Sequence, residues 1–249
     1  MLIIATQTGA QLHVEDIGSG IPVVAVHGML GTARSNMGRV MGWLSDDYRV
    51  IGPTLRGYGE SLPKPRDFPP DFYRRDAEDL LALLDAMNIA QAHLLGYSDG
   101  GETVLIAAGL QPERFLSVGT IGAVGYFGPE MRPAIQRMYP VDWVKPEEAA
   151  LHNIDNPVPM VMQWIRSTKM MIDAGGGTGM AVAGAIQCPV LVMLGDEDWL
   201  NPAACAQVFL NKVSNGRLHT FPCGHAIHDQ QWDAFRQVYG AFLRDCNPV

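Results

Sequence analysis

Three residues of this 249-residue chain combine a nucleophile, a base and an orienting acid: Ser98, His225 and Asp198. A serine hydroxyl attacks poorly until a base takes its proton, and an imidazole does this best when a carboxylate fixes its tautomer. Ser98 sits in Gly96-Tyr97-Ser98-Asp99-Gly100, a Gly-x-Ser-x-Gly run between a short apolar stretch and a helix-compatible one. A strand that turns at once into a helix brings backbone against backbone, and the glycines remove the β-carbons that would clash. Asp198 is the third residue after Gly195 and is preferred as the acid, with Asp196 in reserve. His225 is preferred as the base over His228, which begins the trailing helix. The chain order serine, aspartate, histidine, each just after a predicted strand, is that of one of the several triad arrangements used for acyl transfer. His225-x-x-His228 has the spacing of a metal pair but no third ligand nearby, so no metal and no cofactor is expected.

The tetrahedral intermediate of acyl transfer needs hydrogen-bond donors for its oxyanion. The backbone N–H of Asp99, where the helix after the nucleophile begins, is one candidate; that of Met29, in the loop His27-Gly28-Met29-Leu30-Gly31, is the other. His27 is read as a structural residue of that loop. An acidic residue at Asp99 suits the first turn of a helix, where its charge opposes the helix dipole.

These residues need a frame to carry them. Residues 2–7 and 11–17 read as a hairpin at a sheet edge, joined at Gly9-Ala10, and Pro22 to Val26 as a strand covered on both faces. Strands at 48–53, 92–95, 116–121, 189–195 and 217–221 alternate with helices at 32–44, 71–87, 102–109, 202–213 and 232–243. This rhythm predicts a mostly parallel α/β sheet with ligands at the carboxyl ends of its strands. On the 71–87 helix, Leu80, Leu83, Leu84 and Met87 form the buried stripe and the charges a solvated face.

Between residues 123 and 185 the rhythm breaks into prolines and short helical pieces, Glu147 to His152 and Met160 to Ile172 among them. We read a helical cap inserted over the active edge of a core made of 1–122 and 186–249. Seven of the 13 methionines lie in this cap, and Met160 and Met162 are its predicted substrate-binding residues, since methionine adapts to varied apolar groups. The run Gly175 to Gly179 is read as a hinge or link.

The net charge of −8 excludes the basic face that a nucleic-acid binder needs. No apolar run approaches the roughly 20 residues of a membrane span, and no signal peptide is expected at the N-terminus. The four cysteines are widely spaced and read as free thiols of a reducing, cytoplasmic compartment.

The whole chain resembles an α/β-hydrolase. It is most similar to the valacyclovir hydrolase (biphenyl hydrolase-like) group through Arg56-Gly57-Tyr58-Gly59, Arg66-Asp67-Phe68-Pro69, Gly96 to Gly101, and Gly216 to His225. The resemblance implies an eight-stranded α/β-hydrolase sheet with helices on both faces and a cap. It places the triad on Ser98, Asp198 and His225, and makes Asp99 a receptor for the α-ammonium of a substrate. The chain departs from the group at His27, in place of a proline, at Thr54, where many of these enzymes have aspartate, and throughout the cap. The expectation is a cofactor-free serine esterase for small carboxylic esters. A carbon–carbon bond hydrolase, lactonase or perhydrolase on the same triad is the enzymatic alternative, and a non-catalytic ligand receptor the alternative of another class.

Overall fold

A computed structural model describes residues 2–177 and 179–247. Thr178, inside the run read as a hinge, lies outside the described residues. Eight strands, β1 (Leu2–Ala5), β2 (Gln11–Ile17), β3 (Pro22–Val26), β4 (Arg49–Thr54), β5 (Ala92–Tyr97), β6 (Phe115–Ile121), β7 (Val190–Gly195) and β8 (Gly216–Phe221), form one sheet in the order β1-β2-β4-β3-β5-β6-β7-β8. The β1–β2 and β2–β4 pairs are antiparallel and all others parallel. The predicted edge hairpin and parallel body are both present.

Side-chain alternation along the strands builds two cores. Val24, Val26, Leu94, Val118 and Val192 pack with α2 (Phe72–Ala86), α3 (Asp99–Leu110) and α8 (Ala203–Leu210). Val23, Ala25, Leu95, Leu191 and Met193 pack with α1 (Ala33–Leu44) and α10 (Trp232–Cys246) on the opposite face. Thr32 caps α1: its hydroxyl accepts the Ser35 N–H while the Ser35 hydroxyl accepts that of Thr32. Helix α9 (Ile227–Gln230) is a single turn ahead of α10.

Between β6 and β7 lie α4 (Arg132–Gln136), α5 (Pro146–Ala150), α6 (Val158–Asp173) and α7 (Met180–Ala183). Trp164, Ile165, Met171 and Ile172 of α6 join the apolar core on the α2 and α3 side of the sheet.

The solvated-face reading of α2 is corrected by two of its carboxylates. Asp76 is 1% and Asp79 0% exposed. Arg66 Nη1 and Nη2 donate to Asp76 at 2.8 and 2.5 Å, and Arg56 donates to Asp79 through Nε and Nη2 at 2.7 and 2.6 Å. The loop carrying Arg56 and Arg66 folds back over the helix. Asp76 and Asp79 stand one turn before Leu80 and Leu83, in line with the apolar stripe and at its edge, and periodicity cannot show that cationic loop side chains cover them.

Candidate active site

The chain leaves β3 for β4 on one side and returns to β5 on the other, so a crevice opens at the carboxyl ends of β3 and β5. Val26 and Gly96 are register partners, and the His27–Gly31 loop and the Ser98 turn therefore emerge side by side. Ser98 has φ 54 and ψ −121, a left-handed conformation that a non-glycine residue holds at a cost of about 1–3 kcal/mol. Its N–H is fixed to the Ile121 carbonyl at 2.8 Å. A β-carbon on Gly96 would fall 2.2 Å from the Gly100 carbonyl oxygen, and one on Gly100 2.4 Å from that of Val26. Both glycines are required by the close approach of turn, helix and neighbouring strand.

Gly195 and Phe221 are also register partners, which brings the Asp198 and His225 loops together. His225 Nδ1 lies 2.7 Å from Asp198 Oδ2. Donation from Nδ1–H to the carboxylate leaves Nε2 as the nitrogen that can take a proton. Asp198 also accepts from the Leu200 N–H at 2.9 Å and from Asn201 Nδ2 at 3.1 Å. Burial works against its charged form, but His225, Asn201 and the Leu200 N–H together hold its pKa below the ordinary carboxylate value. Asp196, the reserve acid, is exposed. His228 is buried with Nε2 at the Asn36 carbonyl, 3.2 Å away.

Ser98, Asp198 and His225 line one cavity of about 530 Å³, with Met29, Tyr97, Met138, Trp143, Trp164, Trp199 and Leu200 around them. A second, inner pocket opens from Ser98 and Asp99 toward Tyr73, Glu102, Phe127 and Met131, with about 10 Å³ available to the centre of a water-sized sphere. Met160 and Met162, the predicted substrate contacts, are not among the described residues lining either space. They pack in the apolar core, and Met131 and Met138 of the same segment line the pockets instead. Composition marks the segment as methionine-rich; which methionines face inward depends on packing of short irregular helices.

The Met29 loop is held from several sides. The Gly28 N–H donates to Asn36 Oδ1 at 3.2 Å. His27 is fully buried, and its Nε2 accepts the Leu55 N–H at 2.9 Å, so its Nδ1–H donates to the Gly28 carbonyl at 2.7 Å. Burial pushes this imidazole down to about 3, and it stays neutral as a brace.

Asp99, at the start of α3, is not an exposed residue. It is 5% exposed, its Oδ1 accepts the Tyr73 hydroxyl at 2.6 Å, and the Trp164 indole N–H lies 3.1 Å from both its oxygens. Burial pushes its pKa up to about 6, against the pull of Tyr73, Arg66 and Trp164. It is ionised at neutral pH and borders both spaces. Asn201, Tyr73 and Trp164 carry no local motif that would mark them before folding.

Residues 21–153 match the model of the alpha/beta hydrolase fold. The chain belongs to the α/β-hydrolase family. A human relative, the serine hydrolase BPHL, is 34% identical over 247 residues, covering 95% of this chain and 84% of its own. This agrees with the group that the sequence motifs resemble. A 2-hydroxymuconate semialdehyde hydrolase of Pseudomonas sp. (strain CF600) is 27% identical over 96% of this chain and 92% of its own. Among solved structures, the meta-cleavage product hydrolase of Pseudomonas fluorescens IP01 superposes with a TM-score of 0.77 at 22% identity, covering 99% and 98% of the two chains. The likeness to that solved structure shows a shared fold. Among the described residues, no helix is long and apolar enough to cross a membrane.

Proposed function

We propose that the chain is a serine hydrolase that cleaves small carboxylic esters, α-amino acid esters among them, through an acyl-enzyme. The observation that carries this reading is that Ser98, at its strained turn, lines one cavity with a His225 whose Nδ1 is engaged by Asp198. Ser98 Oγ attacks the ester carbonyl as His225 Nε2 takes its proton, and Asp198 stabilises the imidazolium. The backbone N–H groups of Met29 and Asp99 stabilise the oxyanion. As the carbon–oxygen bond breaks, His225 gives the proton to the departing alcohol. A water then attacks the acyl-enzyme, His225 takes its proton and returns it to Ser98, and the acid leaves.

The two spaces suggest a division of the substrate. The outer cavity, with its tryptophans, suits an aromatic alcohol, and the small inner pocket suits one substituent of the acyl part. Ionised Asp99 beside Ser98 repels the developing oxyanion, and a substrate ammonium would offset that charge with a charge-assisted hydrogen bond. Hydrolysis of a carbon–carbon bond by the same residues is the second reading, supported by the relationship to the 2-hydroxymuconate semialdehyde hydrolase. Against it, Asp99 and Glu102 would oppose the carboxylate of such a substrate wherever that end entered the inner pocket.

The test is a substrate panel: benzyl esters of L-alanine and isobutyric acid, short p-nitrophenyl esters, and 2-hydroxymuconate semialdehyde. Ester turnover that exceeds carbon–carbon cleavage and disappears in Ser98→Ala is expected. Cleavage of the semialdehyde with no ester turnover would replace the esterase reading, and no turnover of either would favour a receptor.

A further inference from the structure

Asp99 and Glu102 lie three residues apart in the first turn of α3 and therefore share one helix face. Both wall the inner pocket, and they are 5% and 2% exposed. Their surroundings differ. Glu102 Oε1 accepts the backbone N–H groups of Val124 and Gly125 at 2.9 and 3.0 Å, while its Oε2 is buried with no hydrogen-bond partner among the described residues. A glutamine would clasp those two N–H groups as well, without placing a carboxylate in a dry site. A bare buried carboxylate oxygen is costly unless something pairs with it. None of the described residues lining the inner pocket is Lys, Arg or His, so the pocket wall supplies no counter-ion.

We infer that Glu102 is a specificity-determining residue, the second of two carboxylates that receive the ammonium group of the substrate's acyl part, with Oε2 as its acceptor. This rests on the α-amino ester reading of the site. Size and charge support it independently. The room in the pocket, about 10 Å³ for the centre of a water-sized sphere, admits roughly one water-sized group, and an ammonium is such a group. Burial pushes Glu102 up to about 7, with Asp99 adding to the rise and the two N–H groups opposing it. Tyr73 and Cys205, with Glu130 at the Cys205 Sγ, are the other titratable groups near it, and none brings a positive charge. An ammonium held between the two carboxylates favours the ionised form of both.

The experiment compares wild type, Glu102→Gln and Asp99→Asn on L-alanine benzyl ester and on benzyl isobutyrate, in which a methyl group replaces the ammonium. Glu102→Gln, which keeps the loop clasp, is expected to lower kcat/KM for the amino ester about tenfold or more, a loss of about 1.4 kcal/mol in transition-state binding. Its activity on the isobutyrate should stay within about twofold of wild type. Glu102→Asp, which keeps the charge but withdraws it by one methylene, should give a smaller loss with the same selectivity, and provides the reading if Glu102→Gln does not fold. An equal fall on both esters would make Glu102 a loop clasp and overturn the inference. Selective loss in Asp99→Asn without any in the Glu102 variants would also overturn it, while leaving the amino ester reading in place. A wild type with no preference for the amino ester would remove both.

Discussion

The imidazole of His152 donates from Nε2 to the carbonyl of Leu30 at 2.9 Å, while its Nδ1 accepts the Gly59 N–H at 2.8 Å. Leu30 has φ 59, a conformation that costs energy outside glycine and persists only where neighbours fix it. His152 thus ties the segment between β6 and β7 to the loop bearing the proposed oxyanion donor Met29, and Tyr58 lies edge-on between His152 and His27. His152→Ala frees the Leu30 carbonyl and loosens that loop. Steady-state kinetics on benzyl isobutyrate should show kcat lower by on the order of 10- to 100-fold with KM little changed, the signature of a misplaced transition-state donor. A loss confined to KM would mean that His152 only shapes the pocket.

Ser98→Ala and His225→Ala should each lower ester turnover by on the order of 10⁴-fold, and the double variant should lose no more than either alone, because the residues act as a unit. Circular dichroism should show folded protein in each case.

Asp198→Asn should be nearly as severe as these, whereas Asp196→Asn, at an exposed position, should keep near-normal turnover. The buried Asp198 is held below the ordinary carboxylate pKa by His225, Asn201 and Leu200. Its charge therefore survives into mildly acidic solution, so a loss of activity there does not come from protonation of Asp198. A pH–rate profile of the two variants and wild type measures this.

The Arg66–Asp76 pair is 1% exposed on both sides, and the guanidinium also lies over the rings of Tyr58 and Phe68 at 5.0 and 4.8 Å. Removing one partner leaves a buried charge uncompensated, which typically costs about 3–5 kcal/mol. Asp76→Ala should therefore lower the denaturation free energy by about that amount. Glu78→Ala, which removes an exposed i,i+4 pair with Arg74, should change it by less than about 0.5 kcal/mol. Urea unfolding of both variants makes the comparison.

These two cases show what was legible in the sequence. Alternating strands and helices fixed the sheet because each strand's side-chain pattern is a local property, and the Gly96–Gly100 run marks the turn because its steric demand is local too. The His225–Asp198 contact followed from chain order and strand ends. The Arg66–Asp76 pair, the Tyr73 and Trp164 donors to Asp99 and the His152 clasp join residues 10, 26, 65 and 122 positions apart, through loops and short helices. No period or motif specifies such contacts. The choice of Met160 and Met162 failed for the same reason: composition named the segment but not the face it turns inward.

Asp99 gives a prediction that separates stability from function. Its pKa rises from 3.8 to about 6, chiefly because burial disfavours the charged carboxylate. Between those values the folded protein holds a proton that the unfolded chain has lost, so stability falls as pH rises through this window and stays lower above it. Asn at this position accepts from Tyr73 and Trp164 without a charge to desolvate. Asp99→Asn should therefore be more stable than wild type at pH 7 by roughly 1–3 kcal/mol, at about 1.4 kcal/mol for each pH unit of the rise. The difference should shrink as pH falls from 6 and vanish below about 4. Calorimetric melting across pH 4–8 is the measurement, with Tm raised by about 2–4 °C per kcal/mol in a chain of this length. A gain in stability accompanied by selective loss of amino ester hydrolysis would mark Asp99 as a charge kept for substrate at the expense of the fold. A variant less stable than wild type at pH 7 would show instead that the Tyr73 and Trp164 hydrogen bonds to the carboxylate outweigh its desolvation.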